Sequence, residues 1–208
     1  MFQQLATLGG LALATVALSL PSPNTATIQP LQEGAYQVDA GHSSALFSVV
    51  HFGTARFYGR FNDISGTIEF DEDKPEDSKV SITIAADTVD TGNEKRDQHL
   101  RSPDFFSAKE FETITFESKR VKVAKKAKGD EPMMLEIQGQ LDFAGKQQDV
   151  TAMVEHVGTG KGMGGVDIVG FEARFTIERS DFDVNYMLDN GGLSDEVDVI
   201  LSVEAGRR

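Results

Sequence analysis

Apolar and polar residues alternate with period two over most of the chain beyond residue 35, and this limits the available folds more than any other feature. Val197, Val199, Leu201 and Val203 oppose Glu196, Asp198, Ser202 and Glu204. Phe171, Ala173, Phe175 and Ile177 oppose Glu172, Arg174, Thr176 and Glu178, and Met133, Leu135, Ile137, Leu141 and Phe143 oppose Glu136, Gln138, Gln140 and Asp142. The segments 64–70, 80–86 and 113–117 repeat the pattern. Successive side chains of a strand point to opposite faces, so each segment has one dry face and one wet face. Antiparallel sheet covering a core on one side has this signature. Adding 44–50, 56–61 and 150–155 gives about eight to nine strands, the number at which a closed sheet encloses side chains or a single ligand. The expected fold is all-β: an antiparallel closed barrel of about eight strands. Its polar outward face excludes an outer-membrane barrel, whose exterior must be apolar.

One segment breaks the alternation. Residues 92–101 are charged and helix-compatible, with Asn93 able to cap the N-terminus and Pro103 discouraging continuation. The reading is one short helical insertion, pinned over a barrel end by Phe105, Phe106 and Phe111. Residues 158–165 are glycine-rich and read as a flexible loop. They lack the strand-loop-helix context and Lys-Ser/Thr ending of a phosphate loop. The basic run 119–128 reads as a solvated hairpin between two strands, whose tip could touch a membrane transiently.

A chain of 208 residues with formal charge −13 suits one globular domain plus a leader, and its charge opposes nucleic acid as a partner. The first charged side chain is Glu33, and an apolar run from Leu5 to Leu20 precedes Pro21, Pro23 and Asn24. This pattern fits a signal peptide over 1–26 and a linker over 27–34, leaving a domain at 35–206 and a periplasmic or extracellular address. There is no cysteine, so neither disulfides nor a lipid-modified cysteine contributes, and stability must come from the core.

Four stretches carry a resemblance to a known family. They are Asp39-Ala40-Gly41-His42-Ser43-Ser44-Ala45-Leu46-Phe47-Ser48-Val49-Val50-His51-Phe52-Gly53, Asp90-Thr91-Gly92-Asn93, the run from Arg96 through Ser102-Pro103-Asp104 to Phe106, and Ile177-Glu178-Arg179-Ser180-Asp181-Phe182. Together they resemble the YceI-like family of isoprenoid-binding proteins from about Tyr36 to Ala205. The resemblance implies a secreted, lipocalin-like barrel that holds a long isoprenoid chain without catalysing a reaction on it. Two positions depart from the family pattern: Gly145-Lys146-Gln147 stands where a Gly-Val-Thr turn is common, and Asp183 stands where glycine is usual.

Inward phase nominates a ligand-binding wall of Phe47, Val49, Ile68, Phe70, Ile82, Ile84, Ile114, Phe116, Leu135, Ile137, Phe171, Phe175, Val199 and Leu201, with Phe105 and Phe106 contributed by the insertion. Arg96, Asp97, His99 and Arg101 are expected to hold the insertion on the barrel or to edge the cavity mouth. Arg179, Ser180 and Asp181 are expected to order a strand-to-loop junction. The expected partner is an isoprenoid lipid or a quinone, with no cofactor and no metal. The four histidines, at 42, 51, 99 and 156, show no metal-binding spacing. The acidic overall charge leans toward a neutral head group on that lipid. Two rival readings stay open. One is a lipid-modifying enzyme using Asp97 and His99, or His42, although residues two apart on a helix do not face one another. The other is a stress-response interaction protein whose barrel is packed solid.

Overall fold

The computed structural model describes residues 35–207. The expected signal peptide at 1–26 and linker at 27–34 lie outside the described residues. Eleven strand segments and one α-helix follow in order: β1 Tyr36–Val38, β2 Ser44–His51, β3 Ala55–Phe61, β4 Ile64–Glu69, β5 Lys79–Ala85, β6 Val89–Asp90, α1 Glu94–Leu100, β7 Thr113–Lys125, β8 Met133–Phe143, β9 Lys146–Lys161, β10 Asp167–Glu178 and β11 Glu196–Arg207.

Eight of these close a ring, all antiparallel: β1, β4, β5, β7, β8, β9, β10 and β11, with β11 returning to β1 through Val38↔Ala205. The other three continue the wall at one end of the barrel. A 3-10 turn at Ala40–His42 separates β1 from β2, yet both lie on β11, where Ala45↔Leu201 takes over from Val38↔Ala205. β3 pairs with β2, and β6 pairs with β3 through Arg60↔Asp90 and Phe61↔Val89. Beyond β6 the chain leaves the sheet for α1, so this end is completed by irregular segments.

Alternation is most regular in β8, where Met133, Leu135, Ile137, Gly139, Leu141 and Phe143 are buried and the residues between them stay partly exposed. The β8–β9 hairpin closes through two left-handed residues, Ala144 (φ 50°) and Gly145 (φ 76°), the backbone of a type I′ turn. Gly145 is needed for space as well, because a Cβ there would meet the Phe111 ring at 2.4 Å. Phe111 therefore packs at this turn and does not join Phe105 and Phe106 in the cavity wall.

The structure corrects two expectations about loops. The basic run is strand as far as Lys125, and only the turn around the Lys128↔Glu131 bridge is a hairpin tip. Three of its five lysines face carboxylates: Lys119 to Asp149 at 2.6 Å, Lys122 to Glu136 at 2.9 Å, and Lys125 to Glu131 at 3.0 Å. The periodicity is hidden because the β7–β8 register slips between Ser118 and Arg120. That bulge shifts the inward set from Ile114 and Phe116 to Val121 and Val123. The glycine-rich stretch is likewise strand through Lys161, with a single 3-10 turn at Met163–Gly165.

Candidate functional site

The helix α1 forms as its sequence prescribes. Asn93 sits in extended conformation and its side-chain oxygen accepts from Arg96 N, the capping geometry that satisfies an otherwise orphaned donor. Thr91 then ties the helix to the end of β6. The buried Asp97 carboxylate accepts from Thr91 N at 2.9 Å and from its hydroxyl. Arg96 donates Nε to Thr91 Oγ1 at 2.8 Å and Nη2 to Thr91 O at 2.9 Å. Arg101 donates to the carbonyls of Asp87 and Val89. Asp97 and Arg101 are thus fasteners of the insertion, outside the cavity wall, whereas Arg96 and His99 line it.

Beneath the insertion lies a chamber of about 510 Å³, adjoining a narrower one of about 100 Å³ further along the barrel. The first volume is within the range of sites that enclose small ligands. Ile84, Ile114, Phe175 and Val199 border both chambers. Phe47, Val49, Phe105 and Phe106 border the wide one, and Ile68, Phe70, Ile82, Phe116, Leu135, Ile137, Phe171 and Leu201 border the narrow one. Every residue nominated by inward phase therefore stands on the wall of the lumen.

Inward phase misses the residues that close the wide end. Val184, Tyr186, Met187 and Leu193 come from the irregular segment between β10 and β11 and carry no periodic signal. This segment is stitched to the β2–β3 hairpin. Phe52 N donates to Gly192 O at 3.0 Å, Ser194 N donates to Val50 O at 2.9 Å, and His51 bridges to Leu193. Phe52 occupies the left-handed region (φ 46°) at the tip of that hairpin and is 56% exposed, an unusual place for a bulky aromatic.

Aromatic rings fill the region under α1. Phe106 is the hub, with ring centroids 5.5 Å from Phe61, 5.5 Å from Phe143 and 6.3 Å from Phe47. Phe105, His99 and Tyr186 make a second group at the rim, 4.8 to 5.1 Å apart. Asp104 accepts from His99 Nε2 at 2.8 Å. Asp97 and His99 are consequently committed to different partners, Thr91 and Asp104, and the structure does not assemble them into an acid-base pair.

Arg179 orders the junction after β10, as its sequence context leads one to expect. It is 3% exposed and donates to the carbonyls of Ser194, Val184 and Leu193 at 2.8, 2.6 and 3.2 Å. Burial pushes its guanidinium below the usual value, and the charge of Asp195 opposes this. It also lines the wide chamber, which the sequence does not indicate. The two departures from the family pattern meet in space: Lys146 and Asp183 form an ion pair at 2.6 Å. Asp183 adopts the left-handed conformation (φ 60°) in which glycine is favoured.

Elsewhere, one grouping among the described residues could hold a metal ion. Asp39, His42 and Glu204 lie together on the outside of the barrel, with His42 Nδ1 3.0 Å from Asp39 Oδ2 and 3.9 Å from Glu204 Oε1. The hydrogen bond to Asp39 and the neighbouring negative charges raise the His42 pKa. His156 is buried at the opposite end of the lumen from the insertion, against Phe70 and Phe171. Burial lowers its pKa, opposed by Glu72 and a backbone hydrogen bond at Gly158.

Comparison with known proteins agrees with this architecture. The sequence profile of the YceI-like domain matches residues 36–205. A UPF0312 protein of Pseudomonas aeruginosa is 36% identical over 202 residues, 97% of this chain and 98% of its own length. Protein YceI of Escherichia coli O157:H7 is 37% identical over 195 residues, 94% of each chain. Among solved structures, the YceI protein of Campylobacter jejuni superposes with a TM-score of 0.61 at 33% identity, covering 72% of this chain and 84% of that one. A polyisoprenoid binding domain from Saccharophagus degradans shares the fold, with a TM-score of 0.64 at 16% identity over 83% of this chain and 98% of that one.

Proposed function

The chain belongs to the YceI-like family, and on that footing we propose that its barrel binds an isoprenoid lipid, a polyprenyl or quinone-type chain, as an intact ligand. The observation that carries the reading is the lumen itself: two adjoining chambers of about 510 and 100 Å³ walled mainly by apolar side chains. Removing such a chain from water contributes about 0.8 kcal/mol per buried CH₂ group, so a few isoprene units outweigh the cost of association. The chain of the lipid runs toward the narrow chamber and its head stays beneath α1. The polyisoprenoid binding domain of Saccharophagus degradans, which has this fold, supports the same reading.

The role is carriage or sequestration, with no chemical step. The separate engagements of Asp97 and His99 weigh against a lipid-modifying enzyme, and the volume of the wide chamber weighs against a solid barrel. The apolar leader supports an exported protein in the periplasm or outside the cell.

Native mass spectrometry of the purified chain, followed by solvent extraction, tests the proposal. The expected result is a retained isoprenoid of unchanged mass, absent from the Ile84→Asp and Phe116→Asp variants. A protein that never takes up a lipid, a folded variant with undiminished affinity, or a chemically converted ligand would each end the reading.

A further inference from the structure

The walls of the wide chamber carry charge of one sign. In a chain with 33 acidic and 20 basic residues, the ionisable side chains on that wall other than Tyr186 are Arg56, Arg96, Arg179, His51 and His99, and none is a carboxylate. Two of the five are answered locally, Arg56 by Asp198 and His99 by Asp104. Arg96 and Arg179 bond to no carboxylate among the described residues, although the charge of Asp195 acts on Arg179. Arg179 is held by three backbone carbonyls, and Arg96 by Thr91, with its guanidinium carbon 4.1 Å above the Phe57 ring. A guanidinium has five N–H donors, and the two bonds from Arg96 to Thr91 leave Nη1 out.

Positive charge beside an apolar, water-poor space is costly unless an acceptor meets it, and a guanidinium fork matches the two oxygens of a carboxylate or phosphate. Resting on the lipid-binding reading above, we infer that the wide chamber selects lipids with an anionic head, a carboxylate or phosphate seated at Arg96, over neutral lipids of the same chain. Arg96 is suited to be the seat because it is half-buried and projects from the helix covering the chamber, whereas Arg179 lies deeper and adds to the positive potential of the wall. This reverses the lean toward a neutral head that net charge alone suggests. Net charge is summed over the outer surface, while the head group meets only the wall.

The test titrates delipidated protein by calorimetry with three lipids of one chain: farnesol, farnesoic acid and farnesyl monophosphate. At least one anion should bind at least about tenfold tighter than the alcohol, and the better of the two identifies the acid. Arg96→Gln should erase that preference, and Arg96→Lys should keep most of it, with circular dichroism verifying the fold of both. Lys119→Gln, on the outer face of β7, should leave the preference unaltered. An alcohol that binds as tightly as both anions overturns the inference, as does a folded Arg96→Gln protein with its preference intact. If none of the three lipids binds, the lipid-binding reading itself falls, an outcome distinct from equal binding by all three.

Discussion

The two ends of the lumen are built from the same kinds of residue and reach opposite results. At the narrow end the ring is complete, and Tyr36, Ile68, Leu135, Val154, Val169, Val203 and Ala205 pack into one cluster with little space left. At the wide end β2, β3 and β6 extend the wall without closing it, and α1 with the segment before β11 roofs the gap. Volume is therefore controlled by what covers a barrel end. Alternating strands supply an oily wall in both places, but only a roof held off by hydrogen-bonded fasteners, Thr91 with Asp97 and Arg179 with its three carbonyls, keeps the wall from collapsing on itself.

Truncation should separate the ends most sharply. Leu135 is 1% exposed in the narrow end, so Leu135→Ala should cost about 3 kcal/mol in urea unfolding, whereas Val49→Ala in the wide end should cost about 1 kcal/mol or less. Equal losses would mean the two ends are packed alike.

A pair of glycines gives a finer test, because each lies under an aromatic ring. A Cβ on Gly139 would meet Phe116 at 2.3 Å and the Glu117 carbonyl at 2.5 Å, whereas the nearest atoms to a Cβ on Gly59 all belong to the Phe47 ring, the first also at 2.3 Å. Phe47 borders the wide chamber and has space to swing into, while the Glu117 backbone cannot yield. Gly139→Ala should therefore lose about 2 to 3 kcal/mol and Gly59→Ala less than about 1 kcal/mol, with Gly59→Ala instead weakening lipid binding as Phe47 moves into the chamber.

The smallest effect concerns pH. Burial holds the His156 pKa below its ordinary value of 6.5, so as pH falls the unfolded chain takes up this proton first. Its contribution to stability is complete above that value and is lost as pH drops through the lowered one. The urea midpoint should fall from pH 7.5 to 5.5, and His156→Gln should flatten that decline. No change of slope in the variant would show that His156 is wet in solution.

Legibility in the amino-acid sequence differs from residue to residue. Leu135, Phe171 and Val199 announce themselves because an uninterrupted strand converts sequence parity directly into inside or outside. Asn93 and Pro103 mark the helix because caps and prolines act within a few residues of themselves. Val121 and Val123 are hidden by a bulge that resets parity. Tyr186, Met187 and Leu193 are hidden because an irregular segment has no period to read. Arg179 has the look of a junction residue and is one, yet its place on the chamber wall depends on where β11 and the segment before it come to rest.

Three properties follow from the order of residues alone: which side of each regular strand is oily, where α1 starts and stops, and which family the chain resembles. All of them rest on local periodicity and short-range chemistry. Folding in three dimensions adds the rest: the oily interior holds a chamber, it narrows toward one end, and on its wall stands Arg96, which bonds to no carboxylate among the described residues. Those properties are set by distances between residues far apart in the chain, and no local pattern encodes them.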